Sequence, residues 1–317
     1  MKATVFVSGT LPGDAPKTLA KAFDVVQAED GVRSPAFAAC AERVQGIVAL
    51  LTDRIDETLL KRTPQLRIVA NVAVGVDNVD REACKKHGVV VTNTPDVLSE
   101  ATADLAFGLL LSAARRIAEG DRLVRAGGFT GWTPTFMLGE RVHGMTLGIV
   151  GLGRIGKAMA RRARGFGMPV LYTQRNREKD PIENALRATW VASLDEMLAY
   201  ADAITIHCPL APETHHLFDR ARFAKMKRGS ILVNTARGPI VDEAALAHAL
   251  EHGPLAAAGI DVYEEEPKVH PALLARPNAV LAPHIGSADR VTREAMAAMA
   301  ITNVLKVLGG EAPLTPV

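Results

Sequence analysis

Met145 to Gly156 reads MTLGIVGLGRIG, and this stretch decides the fold. Thr146, Leu147, Ile149 and Val150 form a short apolar run that suits a strand buried on both faces. It leads straight into Gly151-Leu-Gly153-Arg-Ile-Gly156, and the following KAMARRARGF recurs at helical spacing. The first glycine permits a tight turn from strand to helix, the second lets a diphosphate approach the backbone, and the third lets helix and strand pack closely. The helix N-terminus then offers free N–H groups and a partial positive charge to an anion. Alone, such a motif is also compatible with a merely structural glycine turn; between a buried strand and an amphipathic helix it points to dinucleotide binding.

Downstream of this turn, β-type runs and helical stretches alternate: PVLYT, SLDEMLAYA, AITIHC, DRARFAKM, SILVNT, DEAALAHALEH, AAAGID and AVLAP. Upstream, TVFVS, PKTLAKAF, DVVQA, SPAFAACAERV, GIVAL, DETLLKR, LRIVANV, DREACKKH and GVVVT do the same. Such alternation predicts parallel sheets with helices on both faces. The fold class expected is therefore α/β with two doubly wound domains. Between them Ser99 is a plausible helix N-cap, and EATADLAFGLLLSAARRIAEGDRLVRAG reads as one long helix ended by Gly127-Gly128. Its first half is apolar nearly all round, which predicts burial between domains or against a second subunit. The segment FTGWTPTFMLGERVHG after it is irregular, suiting a dimer arm, part of a substrate pocket or a packed surface loop. The last helix, in SADRVTREAMAAMAITNVLKVL, is expected to return to the N-terminal domain. The resulting division is a smaller substrate domain, residues 1–98 and 286–317, carrying an inserted cofactor domain, residues 99–285, with a cleft between them.

Composition excludes several function classes. The chain has 317 residues, 48% of them hydrophobic, and a net charge of +2 with cations and acids interspersed, so no field directs it to nucleic acid or an anionic membrane. Cys40, Cys84 and Cys208 are scattered and form no CxxC pair, which suits a reducing compartment and leads to a cytoplasmic expectation. MKATVFVSGT reads as strand and turn rather than as a signal segment, and Ala101–Ala114 is too short for a membrane span.

The chemistry-bearing candidates lie at strand ends. An acidic residue about 20 positions after the glycines usually binds the adenosine ribose. Here the corresponding position, 18 after Gly156 (174 − 156), is Gln174 in YTQRNR. Without a carboxylate to repel a ribose 2′-phosphate, and with Arg175 and Arg177 beside it, the segment favours NADP(H), with NAD(H) possible. Arg237 in NTARG, Glu266 in DVYEEEP and His284 in APHIGS fall on the cofactor-facing edge. Reduction of a carbonyl by hydride needs a proton donor, a cation to hold the acid, and a carboxylate to keep an imidazolium protonated. Singly, each residue also fits a surface ion pair or a loop position, and spacing does not choose among Glu264, Glu265 and Glu266. In NVAVGVDNVD, Asp77 or Asn78 is a candidate helix cap after Gly75, and consecutive N–H groups there suit a carboxylate. His207-Cys208 and His215-His216 lack the spacing of a zinc site, and no metal is expected.

Together NVAVGVDNVD, TPDVLSEATADLAFGLLL, GLGRIG, HCPLAPETHHLF, LVNTARGPIVDEAAL, GIDVYEEEP and LAPHIGSA resemble the D-2-hydroxyacid dehydrogenase family across essentially the whole chain. The resemblance implies a flavodoxin-like substrate domain around a Rossmann domain. It assigns catalysis to Arg237, Glu266 and His284, selecting Glu266 because it directly precedes the proline. It implies that backbone near Val74 and Gly75 holds the substrate carboxylate, with Arg237 and His284 also on the substrate. Cofactor contacts implied are Thr102, Gly151, Gly153, Arg154, Ile155, Gly156, Gln174, Arg175, Cys208, Thr235, Ala236, Arg237, Asp261, His284 and Gly286.

The YTQRNR variation is similar to the glyoxylate/hydroxypyruvate reductase branch, which tends to use NADPH, and the family habit is a homodimer, here expected through residues 99–145. Other specificities, 2-ketogluconate or phosphoglycerate, stay open. Formate dehydrogenases of the family have glutamine where Glu266 stands, and L-specific lactate and malate dehydrogenases place the glycine turn near the N-terminus. A nucleotide-sensing corepressor on the same fold is the competing, non-catalytic expectation; such relatives carry extra terminal segments, which this chain scarcely has.

Overall fold

A computed structural model describes residues 2–317. The chain divides into two compact units, one formed by residues up to Leu98 together with Ser287–Val317, the other by Ser99–Gly286. Gly286 thus belongs to the second unit rather than the first, because its N–H donates to Asp261 Oδ2 at 2.8 Å.

The first unit is built on strands β1 (Thr4–Ser8), β2 (Asp24–Ala28), β3 (Val44–Ala49), β4 (Ile68–Asn71) and β5 (Val90–Thr92), all parallel, in spatial order β2-β1-β3-β4-β5. Strand alternation sends neighbouring residues to opposite faces. Phe6, Ile47 and Val69 join Phe37, Ile55 and Leu60 on one side, while Val5, Val7, Val48 and Ile68 join Leu19, Ile301 and Val304 on the other. The helix Arg290–Leu308 therefore completes this unit's second layer, packing on β3, β4 and the helix Ala15–Ala22.

The second unit contains β6 (Leu147–Val150), β7 (Val170–Thr173), β8 (Ala188–Trp190), β9 (Ala203–Ile206), β10 (Ser230–Asn234), β11 (Leu255–Ile260) and β12 (Ala279–Leu281). They form one parallel sheet in the order β12-β11-β10-β9-β6-β7-β8. Strand order reverses at β6, where the chain moves outward through β7 and β8 and returns to add β9 on the other flank. Ligands of open α/β sheets bind at such a switch point, beyond the carboxyl ends of the strands.

Several expectations need correction. The long helix is two, Ser99–Ala114 and Ile117–Arg125, separated at Arg116, which adopts φ +55° and pairs in bidentate fashion with Glu119 at 2.7 and 2.8 Å. Ser99 is the first helical residue rather than the cap before it. The first helix is buried within the second unit itself, against β10, β11, β12 and the helix Arg154–Gly165, so its apolar circumference needs neither a domain boundary nor a partner. The charged second helix buries nothing and leaves Ile117 and Val124 exposed. The helix Asp180–Leu186 and β8 were not expected; with seven and three residues they are too short to carry a period. No helix among the described residues is long and apolar enough to cross a membrane.

Candidate active site

The switch-point turn meets the steric demands of its glycines. Gly151 has φ +93°, and a Cβ on it would lie 2.8 Å from the Cys208 amide nitrogen, where the chain leaves β9. A Cβ on Gly156 would lie 2.2 Å from the Gly151 carbonyl oxygen, so only glycine lets the helix Arg154–Gly165 sit down on the turn. Gly153 faces open space, has no side-chain cap to offer, and no acid stands in the helix's first turn. Backbone N–H groups at a helix start that no side chain caps suit a diphosphate.

At the end of β7, Gln174 Oε1 accepts the Leu152 N–H at 2.8 Å, and its amide nitrogen donates to Asn176 O at 2.8 Å. Gln174 therefore lies directly beside the glycine turn. Arg175 is exposed and paired with Glu213. Arg177 departs from expectation: its guanidinium is committed to Glu183 at 2.6 and 2.9 Å. Glu183 also accepts from Tyr172 Oη at 2.5 Å, and Tyr172 Oη in turn accepts the Glu178 N–H at 2.9 Å. Arg177 thus ties down the loop instead of presenting a cation to a ligand.

The bonds from Arg177 and Tyr172 hold the Glu183 carboxyl down at about 2, below its ordinary 4.5, against the opposing pull of burial. A depressed carboxylate stabilises the fold fully above its unfolded pKa and loses that contribution as pH falls through the folded one. Glu183→Gln is expected to lower the melting temperature near neutral pH by a few degrees, with the gap to the native protein closing between about pH 4.5 and 2. Thermal melts across that range check it; a gap independent of pH would mean that the carboxylate charge is not what Arg177 holds.

The turn after β10 carries Thr235, Ala236 and Arg237. Asn234 shapes it, accepting the Ala236 N–H at 3.0 Å and donating to Arg237 O at 2.9 Å. Thr235 is buried at the mouth of this turn, and its hydroxyl finds no partner among the described residues. Cys208 is half-buried and its thiol is pushed up to about 11 by burial, so it stays protonated and is no nucleophile. Burial brings the His207 imidazole down to about 3, leaving it neutral, with Nε2 at 2.8 Å from Thr205 Oγ1. No metal-binding cluster occurs among the described residues.

Beyond β11 and β12, Asp261 organises the loop with His284. Its backbone oxygen accepts the His284 N–H at 2.8 Å, and its two carboxylate oxygens accept the N–H groups of Ile285 and Gly286, both at 2.8 Å. Burial raises the Asp261 carboxyl in spite of these donors. Thr102 lies alongside, its Cγ2 3.4 Å from where a Cβ on Gly286 would stand. His284 itself adopts φ +53° and directs Nδ1 to Glu266 Oε2 at 2.7 Å. Glu266 Oε1 accepts the Tyr263 N–H at 3.0 Å. Burial works to raise the Glu266 carboxyl, but the bonds from His284 and the Tyr263 N–H, with the charges of His284 and Arg237, outweigh it and keep the group below its usual range. Arg237 is thus close enough for its charge to be felt at Glu266. The side chains of His284 and Glu266 are 32% and 35% exposed, open to a small molecule.

Three supporting residues lie inside the quoted motifs without having been singled out there. Tyr263 is buried and donates from its hydroxyl to Ala282 O at 2.9 Å, binding the Glu266 segment to the strand that delivers His284. Gly238 lets the Arg237 turn lie against the Tyr263 backbone. Glu243, read only as the start of a helix, is buried.

In the first unit, the turn after β4 is not the helix cap first expected. The helix Arg81–Lys86 is capped by Asp80, which accepts the Ala83 N–H at 2.9 Å, while Asn78 instead braces the turn through Asn71, Leu50 O and Asp53 O. The Val74 and Gly75 carbonyls accept from Asn93 Nδ2 at 2.8 Å and Asn71 Nδ2 at 2.9 Å, fixing both peptide planes. The Val74 and Gly75 N–H groups have no hydrogen-bond partner among the described residues, which suits an anion.

The chain is similar to known proteins along almost its whole length. Residues 107–286 match the family model described as D-isomer specific 2-hydroxyacid dehydrogenase, NAD binding domain. The glyoxylate reductase of Thermococcus litoralis is 44% identical over 320 residues, which take in 99% of this chain and 96% of that protein. The glyoxylate reductase of Korarchaeum cryptofilum is 46% identical over 319 residues, 99% of this chain and 95% of that one. Among solved structures, a protein from Thermus thermophilus superposes with a TM-score of 0.92 at 45% identity, covering 99% of both chains. The NADPH-dependent glyoxylate/hydroxypyruvate reductase from Sinorhizobium meliloti, in complex with NADP and malonate, superposes with a TM-score of 0.89 at 35% identity, covering 100% of this chain and 97% of the other.

Proposed function

The chain belongs to the D-isomer specific 2-hydroxyacid dehydrogenase family, and on that premise we propose that it reduces a small 2-oxo acid of the glyoxylate/hydroxypyruvate type to the D-2-hydroxy acid, with NADPH as preferred donor. It is a nicotinamide-dependent oxidoreductase. The observation that carries the reductive chemistry is the 2.7 Å bond between His284 Nδ1 and Glu266, within the charge of Arg237.

Bound reduced nicotinamide supplies the hydride. Glu266 occupies Nδ1, so Nε2 is the ring nitrogen from which His284 hands a proton to the carbonyl oxygen. Arg237 holds the substrate carboxylate and polarises the carbonyl. Val74 and Gly75 are the proposed backbone donors to that carboxylate, on the strength of their unengaged N–H groups. Gly151, Gly153, Arg154, Ile155 and Gly156 would take the diphosphate; Thr102, Cys208, Thr235, Ala236, Asp261 and Gly286 would line the nicotinamide end. Exposed Phe129, Trp132 and Leu138, all within residues 99–145, support a homodimer through that region, and three free cysteines support a cytoplasmic location.

Cofactor preference rests on Gln174 and Arg175. Arg175 has to exchange Glu213 for a ribose 2′-phosphate, and Gln174 presents no charge against it. Purified protein with glyoxylate, hydroxypyruvate, pyruvate, 2-ketogluconate and phenylpyruvate, followed by loss of reduced-nicotinamide absorbance, is expected to show higher kcat/KM with NADPH than with NADH. Gln174→Asp is expected to lower the NADPH value by roughly 10-fold or more, because a carboxylate there repels the ribose 2′-phosphate. A native preference for NADH would overturn the assignment.

A further inference from the structure

We infer that Glu243 is a positioning residue for the proposed reaction, acting through Glu266; the inference rests on the proposed role of Glu266. The segment from Tyr263 to His270 leaves β11 and runs largely exposed from Glu265 to Lys268. Tyr263 and Val269 pack on the core and the Lys268 N–H closes a turn on Glu265 O at 2.9 Å, but the exposed stretch between them needs anchoring at its ends to hold Glu266 within the fraction of an ångström that proton transfer to a substrate requires. Glu243 supplies that restraint from underneath. It is 5% exposed, in the first turn of the helix Glu243–His252. One carboxylate oxygen accepts the Glu264 N–H at 2.7 Å and the other accepts the His270 N–H at 2.9 Å. Both ends of the segment are therefore clipped to a single buried group, and Glu266 lies between the clips.

The helix does not need Glu243 for its own cap, because Asp242 already accepts the Ala245 N–H at 2.8 Å. Two N–H donors require two acceptors, and a carboxylate is the side chain that presents two on one carbon. Glutamine keeps the shape but sets an NH2 against one of the N–H groups, so one end of the segment is released.

The test is a double-mutant cycle of Glu243→Gln with Glu266→Gln, assayed with NADPH and glyoxylate, with thermal melts on all four proteins. Glu243→Gln alone is expected to lower kcat by roughly 10- to 100-fold, with the KM for NADPH within about twofold of native. In the Glu266→Gln background the same change is expected to cost less than about twofold, because the group it positions is already gone. An unchanged kcat, or equal losses in both backgrounds, would overturn the inference. Where the glutamine variant does not fold, Glu243→Asp replaces it: one methylene shorter, it reaches one clip only, and the same non-additivity is required. If Glu266→Gln by itself leaves turnover intact, the role of Glu266 fails instead, an outcome distinct from failure at Glu243.

Discussion

Alanine in place of His284 is expected to lower kcat for glyoxylate reduction by about 10²- to 10⁴-fold, the usual contribution of a positioned acid, while NADPH affinity changes little. The imidazole is the ring whose Nδ1 is occupied by Glu266 at 2.7 Å, so its loss removes the proton donor and leaves the carboxylate without its partner. Glu266 is drawn below its usual range chiefly by that partner against the pull of burial, and it is expected to titrate higher in the variant. His284 sits at φ +53°, a conformation that asparagine tolerates better than alanine, so His284→Asn separates loss of the acid from backbone strain. Steady-state kinetics with NADPH fluorescence titration check the result. Turnover within about threefold of native in both variants would take His284 out of the mechanism.

Gly238→Ala is expected to do nearly as much damage without touching a reacting atom. A Cβ at this position would stand 1.9 Å from both the carbonyl carbon and oxygen of Tyr263 and 2.4 Å from Glu264 N. These are backbone atoms, and no flexible side chain is there to yield. The glycine's own segment cannot retreat easily, since Pro239 O and Ile240 O accept from His216 N and Phe218 N at 2.8 and 3.0 Å. The strain therefore falls on the stretch that carries Glu266. A loss of about 3 kcal/mol in stability, at the upper end for overpacking, is expected together with a fall in kcat of roughly 100-fold. Urea denaturation and kinetics check both. Gly165→Ala serves as the contrast: nothing lies within 4 Å of a Cβ there, and it sits in a helix, so the change is expected to be neutral or mildly stabilising.

What could be read from the chain alone is what a few consecutive residues encode. The alternation of apolar runs with helical stretches specified two parallel α/β sheets, because a strand's two-residue period and a helix's longer one are local properties. Gly151, Gly153 and Gly156 announced a turn whose steric demands the structure then displays at 2.8 and 2.2 Å. Arg237, Glu266 and His284 could be nominated as strand-end polar residues, but choosing Glu266 over Glu264 and Glu265 took the family resemblance. Tertiary structure decided the rest. It broke the long helix at Arg116, a left-handed residue whose side chain pairs in bidentate fashion with Glu119. It gave the cap to Asp80, turned Arg177 onto Glu183, and left the Thr235 hydroxyl without a partner among the described residues. It buried Glu243 beneath a segment 21 and 27 residues further along the chain. The physical reason is the range of the interaction: periodicity and backbone sterics act within a turn of chain, whereas a polar group's partner depends on which distant donors folding brings within about 3 Å.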